Sequence, residues 1–202
     1  MSKIQLFIFL LILMTGCRPA ADNEPELPDY YFHPHKDSMN LLRYVDYVPR
    51  NIEFVFDLDS ALKLSQIKDK PILIIFTGVG CKSTRDIDWK VVKTSDSEKL
   101  IRDNFIVAFL FVDIKGKLKE PVQIMYEGRP KIISTIGRYN WYLQIERYKS
   151  NAQPYYCIVD HNMVDLADPR GYDLDSAGFK DFLIQGLLEF RSNSLKLKSS
   201  LK

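Results

Sequence analysis

Two continuous apolar runs constrain the fold of this chain more than any other feature of its sequence. Residues 71–76 (PILIIF) and residues 105–112 (FIVAFLFV) contain no polar side chain, so neither alternates as a half-solvated strand does. Such runs are typical of central strands that are covered on both faces. Between them, Ile87, Val91 and Val92 recur at helical spacing, and residues 95–104 indicate a second short helix. The pattern predicts a central sheet flanked by helices.

Shorter patterns extend this arrangement over most of the chain. Asp57 or Asp59 is placed to cap a helix that follows the first strand. Residues 114–140 are irregular and polar, which indicates an insertion, and residues 160–162 predict a hairpin turn into residues 163–167. Interleaved strands and helices make this an α/β domain. The other predicted elements are strands at residues 51–56 and 155–159 and helices at residues 57–67, 141–148 and 176–190.

The N-terminus has the layout of a secretory signal. Lys3 gives a positive start, residues 4–14 are almost wholly apolar, and Gly16 precedes Cys17. The apolar run is shorter than the about 20 residues that span a bilayer. The segment resembles a bacterial lipoprotein signal, in which the cysteine is lipidated and becomes the new N-terminus. We therefore expect residues 1–16 to be a signal peptide and Cys17 to be lipidated; a buried apolar helix or a plain signal peptide is the alternative.

The rest of the chain divides into three parts. Residues 17–50 are rich in proline and acidic residues and are expected to form a lipidated tether and N-terminal extension. Residues 51–190 form the predicted domain, and residues 191–202 are expected to be a flexible basic tail. The lipid anchor implies the cell envelope, at the periplasmic or outer-membrane surface. A net charge of +2 without a basic stripe in the domain argues against nucleic acid as a partner.

The residues around Cys81 carry a family resemblance. Residues 70–82 (KPILIIFTGVGCK) resemble the strand and active-site loop of thioredoxin-like domains, in particular the C-terminal thioredoxin domain of bacterial membrane thiol:disulfide reductases. That group typically has K-P-V-x-x-D-F-T-G-x-G-C-x-x-C at this point. Residues 144–162 resemble its segment around the cis-proline. The resemblance implies a thioredoxin-like fold, with a central mixed sheet and an insertion before the cis-proline strand.

The same resemblance implies that Cys81 is the catalytic nucleophile. The chemistry needs a cysteine at a helix N-terminus, because the helix dipole and the free amides stabilise the thiolate. Thr84 stands where the family has its resolving cysteine, so intramolecular attack cannot release a mixed disulfide at Cys81. We expect a monothiol role in thiol–disulfide exchange or redox homeostasis, with Thr84 donating a hydrogen bond to the thiolate. A non-catalytic binding module that holds a peptide or protein partner remains the alternative.

Pro154 and Cys157 complete the candidate site residues. By resemblance, Pro154 is a cis-proline that lies against the Cys81 loop, and Gln153 and Pro154 form part of the substrate groove. On sequence alone, Pro154 is a proline at the start of a strand, which is a tolerated position. Cys157 falls within a predicted buried strand, so we expect a core residue rather than a displaced resolving thiol.

Neither a cofactor nor a metal ion is predicted. The three histidines, His33, His35 and His161, form no ligand set, because zinc needs three or four converging ligands. The expected partners are thiols or disulfides of envelope proteins or peptides, and the lipid bilayer through the Cys17 anchor.

Overall fold

A computed structural model describes residue 52, residues 54–93 and residues 96–200 of the chain. The predictions for the signal peptide, the lipidation of Cys17, the tether, His33 and His35 lie outside the described residues. Within the described part, no helix combines the length and the apolar character that a membrane crossing requires.

Strands and helices alternate along the described part of the chain. The strands are β1 (Phe54–Val55), β2 (Ile72–Thr77), β3 (Ile106–Phe111), β4 (Lys117–Tyr126), β5 (Arg129–Thr135) and β6 (Tyr155–Val159). The helices are α1 (Leu58–Lys68), α2 (Lys82–Ile87), α3 (Asp96–Asn104), α4 (Ile136–Tyr148) and α5 (Ser176–Ser200), and a π-helical turn (Asp88–Val92) continues α2.

Four of these strands form a mixed sheet in the order β1-β3-β2-β6. β1 and β2 are parallel to β3, and β6 is antiparallel to β2. Every residue of β2 and β3 is buried, as their continuous apolar sequences predict.

Two hydrophobic clusters lie on opposite faces of this sheet. Because side chains alternate along a strand, Leu73 and Ile75 belong to the first cluster, whereas Ile72 and Ile74 belong to the second. Helices cover both clusters, so the prediction of a central mixed sheet flanked by helices is confirmed. The helical members of the first cluster include Val91, Ile101, Phe179 and Phe182, and those of the second include Ala61, Leu64 and Leu143.

The first helix is close to its predicted bounds, whereas β1 is shorter than the strand predicted at residues 51–56. Asp57 is the N-cap of α1, and its Oδ1 accepts a hydrogen bond of 2.8 Å from the backbone N–H of Ser60. This bond satisfies one of the N–H groups that a helix start leaves without an intrahelical partner.

The prediction that residues 114–140 are irregular is wrong. β4 and β5 pair as an antiparallel hairpin, and α4 begins at Ile136 rather than at residue 141. Glu127 and Gly128 form the turn with φ values of 50° and 71°, the two positive angles of a type I′ turn. The sequence did not predict the hairpin, because β4 is exposed at most positions and its sequence therefore lacks regular apolar alternation.

Two predictions near the C-terminus are also corrected. α5 does not end at Phe190 but continues to Ser200, so residues 191–200 are helical rather than an irregular tail. The sequence contains neither glycine nor proline after Gly186, so nothing stops a helix whose first half is already packed. Residues 163–167 form no regular strand; the chain returns along β6 through single bridges from Val159 to Asp165 and from Tyr156 to Arg170.

Candidate functional site

Cys81 lies at the end of the loop that connects β2 to α2. A tight loop separates the two elements, and the Cys81 N–H donates to the Gly78 carbonyl oxygen at 3.1 Å. Gly80 has a φ of 74°, a left-handed conformation that glycine adopts without a steric penalty. Cys81 is the N-cap of α2 and is partly exposed. The loop therefore presents the sulfur at the start of the helix, as the sequence predicts.

Asp113 holds this loop from the end of β3. Its carboxylate oxygens accept hydrogen bonds of 2.9 and 3.0 Å from the backbone N–H of Val79. A side chain at Gly78 would place its Cβ 3.1 Å from Asp113 Oδ2, which is tighter than ordinary van der Waals contact. Gly78 therefore lets the carboxylate approach the backbone, and Asp113 fixes the strand-to-helix loop.

Thr84 is buried beneath Cys81. Its Oγ1 lies 2.6 Å from Oγ1 of Thr77, the last residue of β2, so the two hydroxyl groups are hydrogen-bonded. The position at which C-x-x-C thioredoxin-like domains have a resolving cysteine is therefore occupied by a hydroxyl group with a protein partner.

The pKa of Cys81 is lowered from its ordinary value. Burial of the sulfur acts to raise the pKa, but several hydrogen bonds together outweigh it. The Thr84 hydroxyl is the strongest of the lowering contributions, followed by the backbone groups of Thr84, Ser83 and Gly78. Because these donors favour the charged form, Cys81 has more thiolate character near neutral pH than an ordinary cysteine.

The Gln153–Pro154 peptide bond is cis, as the resemblance implies. The carbonyl oxygen of Gln153 lies 3.9 Å from Cys81 Sγ, so this backbone faces the cysteine loop. Gln144, fully buried on α4, donates to the Ala152 carbonyl oxygen at 2.8 Å and accepts from Gln153 Nε2 at 3.2 Å. The Gln153 side chain is thus turned towards α4, and its backbone carbonyl is the part directed at Cys81.

One small cavity lies behind the cysteine, and a second lies among side chains of the first hydrophobic cluster. One, of about 10 Å³, is lined by Cys81, Thr77, Thr84 and Asp88 among others. The other, of about 30 Å³, is mostly apolar but is also lined by Asp88 and by Tyr156. The buried Asp88 therefore borders both spaces.

Tyr156 is a second polar group in this interior. Its hydroxyl is buried and has no hydrogen-bond partner among the residues that the structure describes. Burial, and then the charges of Asp88 and Cys81, raise the pKa of Tyr156 well above its ordinary value. Tyr156 is therefore a neutral phenol in the interior, and it borders the same cavity as Asp88.

Cys157 lies on the opposite face of the sheet from this interior. It is fully buried and belongs to the cluster that contains Ile74 and Phe76, whereas Tyr156 belongs to the other cluster. Burial raises the pKa of Cys157 to about 12. Because Cys157 is fully buried, the prediction that it is a core residue is confirmed. Both cysteines of the described part are free thiols.

The structure brings together all four residues that the sequence nominated in the domain. Cys81, Thr84, Gln153 and Pro154 meet at one edge of the sheet. Five contributors were missed, although Asp88 could have been noticed as a carboxylate inside an apolar helical face. The missed residues are Thr77, Asp88, Asp113, Gln144 and Tyr156. The described residues contain no group of three or more side chains able to hold a metal ion.

The order and direction of the strands, the helices on both faces and the cis-proline beside Cys81 define a thioredoxin-like fold. Comparison with family models gave no match, and neither did comparison with curated proteins. Three solved structures are similar at low identity. They are a DsbH oxidoreductase (16% identity, TM-score 0.49, 70% of this chain and 90% of that chain covered), a thioredoxin from Thermus thermophilus (17%, 0.46, 67% and 86%) and a disulphide isomerase from Xylella fastidiosa Temecula1 (17%, 0.40, 63% and 86%).

Proposed function

We propose that this chain is a membrane-anchored protein of the cell envelope that exchanges thiols and disulfides through the single thiol of Cys81. One observation carries the proposal: a partly exposed cysteine of lowered pKa lies 3.9 Å from the carbonyl oxygen that precedes a cis-proline. The thiolate is the nucleophile in disulfide exchange, so donors that favour the thiolate of Cys81 favour the reaction.

The first step is attack by Cys81 on a disulfide of a client protein or peptide. The Cys81 sulfur forms a bond with one client sulfur, the client's own S–S bond breaks, and the second client sulfur leaves as a thiolate. The client segment would lie against the backbone at Gln153 and Pro154, which line the groove in this proposal. The reaction exchanges one disulfide for another, so it requires neither an oxidant nor a reductant.

Release of the client requires a thiol from outside the site. Thr84 has a hydroxyl group that cannot attack a disulfide, and Cys157 is buried on the other face of the sheet. A small thiol, or a second cysteine of the client, attacks the client sulfur of the mixed disulfide. The Cys81 thiolate then leaves, and the attacking thiolate becomes part of the new disulfide.

The envelope location in this proposal rests on the N-terminal sequence. Residues 1–16 have the layout of a signal peptide, and Cys17 stands at the lipidation position of the motif. Metabolic labelling with a radioactive fatty acid in a bacterial host tests this part. We expect the label and membrane association in the full chain and their loss in Cys17→Ser, while a labelled Cys17→Ser protein would contradict the anchor.

A second candidate function is a non-catalytic module that holds a peptide or protein in the same groove. The buried hydrogen bond between Thr84 and Thr77 favours it, because the resolving position is built into the interior rather than left reactive. Such a module would retain its partner without a covalent bond to Cys81.

Trapping of mixed disulfides separates the two functions. The full chain is produced in bacteria, and thiol exchange is stopped by an acid quench. Free thiols are then blocked with iodoacetamide in denaturing buffer at alkaline pH, and adducts are separated by non-reducing electrophoresis. We expect adducts that are lost in Cys81→Ala and retained in Cys157→Ala, which is the matched control. A wild-type protein with an unreactive Cys81 and no adducts would overturn the exchange proposal, and co-purification of a partner with Cys81→Ala would favour the binding module.

A further inference from the structure

We infer that Thr77 is a positioning residue for Cys81: its hydroxyl donates to Thr84 Oγ1 and so directs the Thr84 hydrogen towards the Cys81 sulfur. The inference rests on the proposed thiol function and gives a specific role to Thr77, which matches the threonine of the quoted motif but is assigned no part in the chemistry by that match. It assigns a direction to a short hydrogen bond in which either oxygen could be the donor.

The number of hydrogens decides the direction. Thr77 and Thr84 are 2% and 7% exposed, so water does not supply partners for both hydroxyl groups. Each hydroxyl has one hydrogen and two acceptor sites. If Thr84 donated to Thr77, it would have no hydrogen left for Cys81, which lines the same small cavity as the two hydroxyl groups.

The alternative acceptor of the Thr77 hydroxyl also favours donation from Thr77 to Thr84. Apart from Thr84, the Thr77 hydroxyl has the Gly78 carbonyl oxygen within reach, at 3.4 Å. That distance is long for a bond between a hydroxyl group and an oxygen, for which about 2.7–2.8 Å is usual. The bond of 2.6 Å to Thr84 is the better one for the Thr77 hydrogen. The Thr84 hydrogen is then available to the sulfur.

A thiolate strengthens this arrangement. Hydrogen bonds to a charged acceptor are stronger than bonds between neutral groups, and a donor that itself accepts a hydrogen bond is polarised further. The chain from Thr77 through Thr84 to Cys81 therefore gains most when Cys81 is ionised. When Cys81 is protonated, its S–H can donate to the Gln153 carbonyl oxygen, 3.9 Å away, and no longer needs the Thr84 hydrogen.

The sheet fixes Thr77 in place. Thr77 is the last residue of β2 and pairs with Phe111 of β3. Its carbonyl oxygen accepts a hydrogen bond of 2.9 Å from the Val112 N–H, and β-branching restricts its side-chain rotamer. The hydroxyl thus reaches the small cavity beneath Cys81 from the end of a central strand.

A purely structural explanation makes a different prediction. Two buried hydroxyl groups that merely satisfy each other would stabilise the fold when present, without changing the titration of Cys81. The proposal therefore needs a measurement of Cys81 itself rather than of stability alone.

The test is the pH dependence of iodoacetamide alkylation at Cys81, followed by mass spectrometry on the full chain. Thr77→Val keeps the branched shape and removes the hydroxyl, and Thr77→Ser keeps the hydroxyl. We expect the alkylation rate at pH 7 to fall about three- to tenfold in Thr77→Val, as a rise of about 0.5–1 unit in the Cys81 pKa requires. Thr77→Ser should stay within about twofold of the wild type.

Ser65→Ala is the matched control for the loss of a buried hydroxyl. Ser65 is fully buried on α1 and donates to the Lys70 carbonyl oxygen at 2.5 Å, on the side of the fold away from the cysteine cavity. Its substitution should lower the thermal unfolding temperature and leave the Cys81 profile unchanged. If Thr77→Val does not fold, Thr77→Ala replaces it with the same expected loss.

The outcomes separate this inference from the proposed function. A wild-type Cys81 that titrates at or above its ordinary pKa and forms no mixed disulfides would overturn the exchange function. A reactive wild-type Cys81 whose profile is identical in Thr77→Val, or equally displaced in Thr77→Ser, would overturn the role of Thr77 and leave the exchange function standing.

Discussion

Cys81 and Cys157 lie in two different regions of the molecule. The pKa values of their thiols are shifted in opposite directions from that of an ordinary cysteine. Cys81 is partly exposed at the start of α2, and its pKa is lowered. Cys157 is fully buried in β6, and burial raises its pKa to about 12. Burial acts in the same direction on both sulfurs but is more complete at Cys157, where the hydrogen bond with Tyr148 does not offset it, whereas several donors together outweigh it at Cys81.

The donors around Cys81 come from the local chain geometry. A strand-to-helix loop directs several backbone groups and the Thr84 hydroxyl at one sulfur. In β6, the backbone groups of Cys157 belong to the sheet that pairs it with Ile74, so they are not available to its side chain. The comparison teaches that a turn before a helix, rather than exposure alone, makes a cysteine acidic in this fold.

The largest expected effect is a difference in alkylation between the two thiols. At pH 8, a thiol of pKa about 12 is ionised to about 1 part in 10⁴, whereas one below 9 exceeds about 1 part in 11. Cys81 should therefore react with iodoacetamide at least about 500-fold faster than Cys157 in the folded protein. Peptide mapping by mass spectrometry measures both rates, and unfolding in guanidinium should equalise them. Comparable labelling of both cysteines in the folded chain would break the comparison.

Restoring a second cysteine beside Cys81 sharpens the comparison next. Thr84→Cys should allow a disulfide between Cys81 and the introduced residue, which lies one helical turn away, and a dithiol cycle then becomes available. We expect reduction of insulin by dithiothreitol to be accelerated about tenfold over the wild type. Thr84→Ser, the control, should show no gain. Absence of the new disulfide after oxidation would mean that Cys81 and position 84 are not in bonding geometry.

Removal of Asp113 should affect one thiol and spare the other. Asp113→Ala takes away the acceptor of the Val79 N–H, and the loop that directs donors at Cys81 loosens. Loss of an exposed hydrogen bond to a charged group costs about 1 kcal/mol, so we expect Cys81 alkylation at pH 7 to fall about two- to fivefold. Hydrogen exchange at the Val79 amide should become faster. Asp103→Ala, which removes an exposed carboxylate paired with Lys99, is the control and should change neither quantity.

The smallest expected effect is a pair of opposite slopes in the pH dependence of stability. The folded-state pKa of Cys81 is lowered, so its contribution is complete above its unfolded value of about 9 and is lost as the pH falls through the folded value. The pKa of Cys157 is raised to about 12, so its contribution is complete below about 9 and is lost as the pH rises towards 12.

Urea unfolding at several pH values measures these slopes. Cys81→Ser should remove a rise in the free energy of unfolding that the wild type shows on approach to pH 9. Cys157→Ala should remove a fall that the wild type shows above pH 9. If the free energies of unfolding of the wild type and of Cys81→Ser change in parallel with pH below pH 9, the result would count against a preferred thiolate at Cys81.

Much of this fold could be predicted from the sequence, because its strongest signals are local. The apolar runs of β2 and β3 are the longest continuous ones after the N-terminal segment, and both strands are where they were expected. The β4–β5 hairpin was missed, since most of its residues are exposed and only a few of its side chains, such as Ile124 and Ile133, are buried. The C-terminal part of α5 was missed because its serines and lysines are equally compatible with an unstructured tail.

The candidate site divides in the same way. Cys81 and Thr84 are three residues apart, at the two cysteine positions of a C-x-x-C motif, so they can be identified from the sequence. Thr77 and Asp113 contribute through hydrogen bonds whose partners lie seven and 34 residues away, respectively. The Gln144 side chain reaches the Gln153 side chain from α4. Residue type and position in the sequence do not assign such a role to a threonine or a glutamine, because the partner is defined only when strands and helices come together.

The sequence by itself determined that a cysteine would stand between a buried strand and a helix, without a second cysteine one turn later. That follows from residue order alone, since local hydrophobic patterns and glycines specify the strand, loop and helix in succession. Only the tertiary structure decided the chemical state of the two thiols. The pKa of each depends on burial and on donors and charges gathered from distant segments, and these exist only once the sheet and its helices have packed.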